Sequence, residues 1–210
     1  VSVLDLVLPL QCGGCGAPAT AWCPACAKEL EVGPDQPHVV SPRLDPGVPV
    51  LAMGRYAGAR RNAIVAVKEH GRADLIAPLA DHLRAGLQRL LTWGILETPL
   101  TVVPAPTRRS SARRRGGDPV TRIARLATRG PGLELAPVLY LRRFTRDSVG
   151  LSAAERQRNV SGRVRQRGAV QGPVVIVDDV VTTGATAAES VRVLQTRGTG
   201  VLAVLTLANA

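Results

Sequence analysis

Aromatic side chains are nearly absent: two Trp, two Tyr and one Phe in 210 residues. A core must therefore be built from Leu, Val, Ile and Ala. Ring platforms for stacking nucleic-acid bases are scarce, so any nucleic-acid contact would be mainly electrostatic and strongly salt-dependent. Lysine is almost missing too, with only Lys28 and Lys68. No stretch approaches the ~18–20 apolar residues of a membrane span, so no membrane insertion is expected. Val1 to Leu10 is apolar but short, lacks a basic n-region and runs straight into cysteines, which argues against a signal peptide. Cysteine is absent outside Cys12 to Cys26. That clustering does not resemble a secreted disulfide framework, and a cytoplasmic location is expected.

What is present points toward anions. Basic residues number 27 against 16 acidic, a net charge of +11. An anionic partner such as phosphate, pyrophosphate or nucleic acid fits that excess. A codon bias toward Arg would explain the choice of Arg over Lys, but it explains the excess less well. Hydrophobic residues make up 45%, and the length suits one sizeable domain with a small appendage.

The pattern divides the chain into a cysteine knob over residues 1–32, a Pro-rich linker without periodicity over 33–49, and a main domain over 50–210. In the main domain the patterning predicts strands over Val50–Tyr56, Leu100–Val103, Val138–Leu141, Val174–Val177 and Val201–Leu207. It predicts helices over Arg60–His70, Ala73–Trp93, Pro119–Arg129 and Ala185–Arg197, with a short one near Leu151–Gly162. The second helix is amphipathic, with Leu75, Leu79, Leu83, Leu87 and Leu90 near one face. Alternation of this kind predicts an α/β fold: βαβ units around a mostly parallel sheet flanked by helices.

The most informative segment is VVIVDDVVTTGAT, from Val174 to Thr186. A buried aliphatic strand ends in Asp178 and Asp179, where open α/β sheets bind ligands. Val180, Val181, Thr182, Thr183, Gly184, Ala185 and Thr186 then turn into a helix N-terminus, whose free N–H groups and dipole favour an anion. Gly184 permits close backbone approach, and the threonines add hydroxyl donors. Carboxylates beside a phosphate cradle suit a ribose diol and a metal-bridged pyrophosphate. An ordinary threonine-capped βα turn is the plain alternative, but the joint pattern is long.

Cys12-Gly-Gly-Cys15 and Cys23-Pro-Ala-Cys26 form two CxxC pairs seven residues apart. Four thiolates at this spacing fit a closed, tetrahedral, structural Zn²⁺ site, ahead of two disulfides or a redox CxxC. A knob this small would draw its folding energy from the metal. Val102 to Pro106 ends a strand in two prolines. Arg108, Arg109, Arg113, Arg114 and Arg115 follow, then two glycines. That basic stretch fits a mobile lid over pyrophosphate, a solvated charge run or a nucleic-acid contact. Lys68, at the end of a helical segment, has a simple explanation as a charge that complements the helix dipole.

The segment 174–186 resembles the PRPP (phosphoribosyl pyrophosphate) motif of type I phosphoribosyltransferases over all thirteen positions. The whole chain resembles the ComF family of competence-associated, phosphoribosyltransferase-like proteins. The resemblance runs through the CxxC pairs, Tyr56-x-Gly58, Lys68-x-x-Gly71, VPAP at 103–106, Arg115-Gly116, Arg143-x-Thr145 and Leu151–Asn159, in that order. It departs at Gly117-Asp118-Pro119, at Ser148 and at Val164, and the first two fall in the lid and in the segment facing a second substrate.

The resemblance implies a type I phosphoribosyltransferase-like sheet with an N-terminal zinc-ribbon-like knob. By it, Asp178 and Asp179 contact the ribose hydroxyls, and Val181 to Thr186 hold the 5′-phosphate. Ala105, Pro106, Arg108, Arg109 and Arg115 belong to a pyrophosphate loop; a plain Pro-terminated strand explains Ala105 and Pro106 as well. Mg²⁺ accompanies PRPP. The implied activity is phosphoribosyl transfer to an unknown acceptor with release of pyrophosphate. The other implied role is non-catalytic: binding PRPP, a nucleotide or single-stranded DNA during DNA uptake, alongside a DNA translocation helicase.

Overall fold

A computed structural model describes residues 10–107, 118–142 and 162–210. Along the chain run α1 (Pro24–Glu29), β1 (His38–Val40), β2 (Val50–Ala52) and α2 (Gly58–Glu69). A 3₁₀ turn over Ala73–Leu75 leads into α3 (Ile76–Thr92), followed by β3 (Leu100–Pro104), α4 (Pro119–Ala127) and β4 (Leu133–Leu135). The chain then gives β5 (Leu139–Leu141), β6 (Val164–Gln166), β7 (Val174–Val181), α5 (Ala185–Gln195) and β8 (Val201–Asn209).

Six strands form one sheet in the order β1-β2-β8-β7-β3-β4, and β5 pairs with β6 in a separate ribbon. Only β1 runs antiparallel within the large sheet. The expected α/β class is therefore observed: a mostly parallel sheet flanked by helices, with a cysteine cluster at the N-terminal side.

The central strand explains the layering. Val174 to Val177 are all fully buried, as a strand covered on both faces requires. Val175 and Val177 join Leu205, Leu79, Leu83, Leu87 and Ile123 in a core shared with α2, α3 and α4. Val174 and Ile176 point the other way, into a core with Val204, Val191 and Leu194 of α5 and Leu139 and Val164 of the ribbon. Each such side chain contributes roughly 1.5–3 kcal/mol by leaving water. The leucine stripe expected on α3 is buried, and Leu75 is buried in the turn before it. No helix among the described residues is long and apolar enough to cross a membrane.

Several expectations change. The stretch read as a linker supplies β1, which pairs with β2 along its whole length, and Leu44 N–H donates to the Thr183 carbonyl at 2.9 Å. Its prolines masked a three-residue edge strand. β4 and β6 were too short to announce themselves. β7 runs four residues further than the aliphatic run, through both aspartates, because Asp178, Val180 and Val181 pair with Thr206, Ala208 and Asn209 of β8. The helix expected near Leu151–Gly162 lies outside the described residues, apart from Gly162. Asp118 and Pro119, which depart from the family pattern, cap α4. Asp118 accepts from Val120 N–H at 3.2 Å and from the Thr121 hydroxyl at 2.5 Å, and Pro119 takes the first helical position.

The topology also fixes where a ligand can sit. From β3 the chain moves outward to β4, then returns to place β7 on the other flank of β3, and continues to β8. The strand order reverses between β3 and β7. Open α/β sheets bind ligands in the crevice beyond the carboxyl ends at such a point.

Candidate functional site

Both expected parts of the site come together at this switch point. Pro104 of β3 lies beside Val177 of β7, and Ala105 N–H donates to the Val177 carbonyl at 2.8 Å. The next residue of β7 is Asp178. Ala105 and Pro106 are thus adjacent to the carboxylate pair, while Arg108, Arg109 and Arg115 lie outside the described residues.

Asp178 and Asp179 border one small packing gap, too tight for a water molecule, with Leu83, Val120, Ile123, Val177 and Leu207. Strict alternation would send their side chains to opposite faces. Beyond Val177 that alternation lapses, since Val180 packs with the α2–α4 core and Val181 with the α5 core. The two carboxylates do not carry equal charge. Burial pushes the Asp178 carboxyl up to about 8, and the Asp179 charge adds to the rise, against the pull of Lys68. Asp178 Oδ1 accepts the Asp179 N–H at 2.8 Å. Near neutral pH the Asp178 carboxyl therefore favours its protonated form. A diol finds acceptors on both, while an incoming polyanion meets one charge instead of two.

The sequence pattern alone did not place Lys68 here. Its Nζ sits 3.0 Å from Asp179 Oδ2 and 3.1 Å from Oδ1. Burial opposes its charge, but the Asp179 carboxylate outweighs that, with help from Asp178 and Tyr56, so its pKa is raised. Lys68 belongs to the last turn of α2, as the helix-end explanation expected; only the fold shows what it faces. The solitary lysine in an arginine-rich main domain was the available signal.

After β7, Thr182 is exposed and Thr183 half-buried, and Gly184 caps α5 at φ +81°. Glycine is required there twice over. The left-handed conformation disfavours other residues, and a Cβ would lie 2.4 Å from the Leu44 carbonyl oxygen and 2.8 Å from Pro42 Cβ. Residues 42–44 are therefore a strap packed on the back of the loop. Ala185 N–H reaches the Thr183 hydroxyl at 3.4 Å. The first helical bond runs from Ala188 N–H to the Gly184 carbonyl. The amides before it, including that of Thr186, have no intrahelical acceptor, the usual condition of an anion-binding helix start.

The four cysteines form the second cluster. Their sulfurs all lie within 4.8 Å of one another, and Cys15 and Cys23 are 3.6 Å apart. A tetrahedron of Zn–S bonds has edges of about 3.8 Å, so a metal such as zinc fits with little movement. None of the four is in a disulfide. Cys12 Sγ accepts the Cys23 N–H at 3.3 Å, and Cys23 Sγ accepts the Cys26 N–H at 3.5 Å. Burial works against the Cys12 thiolate, yet backbone N–H groups overcome it and bring the pKa down to about 6. Cys12, Cys23 and Cys26 are buried and merge with Leu75, Ile64 and Leu30 in the main core.

A third feature is basic. Leu139, Leu141, Val164 and Gln166 face the core, so the opposite face of the β5–β6 ribbon carries Tyr140 and Arg165, which are cross-strand partners. By the same alternation the exposed Arg142 and Arg167 flank them, whereas Arg163 buries its Nη1. Arg167 stacks on Tyr140 with its Cζ 4.5 Å from the ring centroid. Neither strand carries a carboxylate.

No family model matches the chain, and no curated protein matches it either. Nine chains of solved structures match. One is the orotate phosphoribosyltransferase of Mycobacterium tuberculosis H37Rv in complex with Fe(III) dicitrate. It is 19% identical, with 89% of this chain and 85% of that chain covered and a TM-score of 0.39. At that identity and superposition, nothing about this chain's ligand follows from the likeness.

Proposed function

We propose that the chain binds PRPP at the carboxyl ends of β3 and β7, as a phosphoribosyltransferase-like protein of the ComF type. One observation carries this reading. Two adjacent carboxylates lie at a topological switch point, one short loop before a glycine-opened helix N-terminus. In this reading Asp178 and Asp179 hold the ribose hydroxyls, and Val181 to Thr186 hold the 5′-phosphate. Ala105 and Pro106, with Arg108, Arg109 and Arg115, receive the pyrophosphate. Mg²⁺ arrives with the ligand, and zinc at Cys12, Cys15, Cys23 and Cys26 is structural. As an enzyme the protein transfers phosphoribosyl to an acceptor and releases pyrophosphate. Arginine charge near the leaving group would stabilise its departure.

The test is calorimetric titration of Mg²⁺ and PRPP into the zinc-loaded protein and into the Asp178→Ala/Asp179→Ala double variant. Saturable binding that vanishes in the double variant supports the reading. No binding by the folded, zinc-loaded wild type rejects it.

The β5–β6 ribbon favours a second reading, an accessory protein of DNA uptake that contacts single-stranded DNA. Residues i and i+2 on a strand are about 6.7 Å apart, comparable with neighbouring phosphates along an extended strand. Arg165 and Arg167 therefore offer one guanidinium per phosphate, with Tyr140 and Arg167 as the stacking pair. Oligo-dT affinity that falls steeply with salt, and falls again in Arg165→Ala/Arg167→Ala, is the expected signature. An affinity indifferent to both would remove this reading.

A further inference from the structure

The cysteine knob caps the start of α2, and the last turn of the same helix reaches the carboxylate pair. α2 opens at Gly58 and places Lys68 in its last turn, about 15 Å further along the axis. Its own N-cap residue, Ala57, makes no side-chain capping bond. The cap comes from the knob. Glu29, the last residue of α1, accepts the Ala59 N–H on Oε1 at 2.8 Å. Gly58 makes this contact possible: it sits at φ +52°, and a Cβ there would lie 2.2 Å from Glu29 Oε1.

A second tether follows one turn later. Asn62 Nδ2 donates to the Gly14 carbonyl at 2.6 Å. Gly14 lies inside the first CxxC pair, so close that a Cβ would sit 2.5 Å from Cys26 Sγ and 3.0 Å from Ala59 Cβ. A third tether lies just past the helix, where Arg72 Nη2 donates to the Gln11 carbonyl at 2.9 Å. At the far end of α2, Lys68 grips both oxygens of Asp179.

We infer that Glu29 and Asn62 are positioning residues for Lys68, so that metal binding at the four cysteines and ligand binding at Asp178 and Asp179 are linked through α2. The inference rests on the PRPP reading of the site. Its physics is short. A knob of this size keeps its shape through the metal. Without that shape, the Glu29 carboxylate leaves the N–H groups and the positive end of the helix dipole. The Gly14 carbonyl leaves Asn62 at the same time. Helix α2 then loses both restraints on its start and shifts or frays, and the ammonium at its other end loses its fixed place against Asp179. Linkage is reciprocal: whatever metal does for the ligand, the ligand does for the metal.

The test uses the full, zinc-loaded chain. PRPP affinity is measured for wild type, Glu29→Ala, Glu29→Gln and Asn62→Ala. Zinc affinity is measured by competition with a chromogenic chelator, with and without saturating Mg²⁺ and PRPP. Glu29→Ala should weaken PRPP by about fivefold, the scale of one lost helix cap. Glu29→Gln should restore most of it, because its amide oxygen still accepts from Ala59. Bound PRPP should tighten zinc in wild type and do so less in Glu29→Ala. Asn62→Ala serves if Glu29→Ala does not fold.

If wild type binds PRPP, yet zinc affinity ignores it and the variants bind like wild type, the linkage is wrong and the site reading stands. If folded wild type binds no PRPP, the site reading falls, and amide exchange decides the linkage. Stripping zinc must then speed exchange across Gly58–Glu69 as far as the turn holding Lys68. Exchange that quickens in the first turn alone overturns the inference.

Discussion

Asp178→Asn is the sharpest perturbation of the site. Asparagine keeps the size of the side chain and an oxygen for the Asp179 N–H, but it cannot ionise. In wild type the Asp178 carboxyl is pushed from 3.8 up to about 8 by burial and then by the Asp179 charge. The folded state therefore holds this proton more tightly than the unfolded state. The resulting stability is fully present below about pH 4 and is lost as pH rises through 8. The side chain keeps some contact with solvent, so about 2 kcal/mol is the scale to expect. The assay is urea unfolding of wild type and Asp178→Asn at steps from pH 4 to pH 9. Comparing the two cancels other titrations, notably that of His82. Burial, then the Arg60 charge, holds that imidazole down at about 4, which costs stability as pH falls below 6.5. Asp178→Asn should match wild type near pH 4 and exceed it by about 2 kcal/mol above pH 8. Parallel curves across the whole range would refute the reading of a carboxyl kept protonated at the site.

Gly184→Ala tests the strap. A left-handed alanine whose Cβ meets the Leu44 carbonyl should cost about 2–3 kcal/mol in urea unfolding; wild-type stability would mean that residues 42–44 do not press on the loop. The knob should hold one metal: native mass spectrometry is expected to find one zinc per chain, and Cys26→Ser to reduce its retention under chelator. A metal-free, disulfide-linked knob would contradict the thiolate geometry.

The sheet was legible where a strand is long and buried. Val174 to Val177 and Val201 to Leu207 announce themselves because a strand covered on both faces must be aliphatic throughout. The same rule hid the short edges. His38 to Val40 needs no apolar run: it lies at the sheet margin, with Val39 69% exposed, and three ladder positions leave no periodicity to detect. Proline spacing then suggested a linker, although prolines at 37 and 42 merely bracket the strand. Edge strands tolerate such residues because one side of their backbone has no partner.

The carboxylate pair was legible for a different reason. Two aspartates after a buried β-branched run contradict local strand preference, and that contradiction is what singles them out. Pairing with β8 explains how the strand survives them: Thr206 and Ala208 continue the ladder past Asp178, so the backbone stays extended while the side chains leave the core. What one segment cannot reveal is its counter-charge. Lys68 and Asp179 are 111 residues apart in sequence, and nothing near either names the other. The pairing follows only once β2 and β8 are parallel neighbours, since α2 leaves the end of β2 and β7 lies on the far side of β8. A lone lysine among arginines is a weak signal by itself. An ammonium that a carboxylate holds against its burial is a stronger one. An ammonium is compact and readily repositioned, whereas a guanidinium would lock both Asp179 oxygens in a fixed fork. Lysine at 68 therefore holds Asp179 by a point charge that the PRPP reading would let a ligand hydroxyl replace.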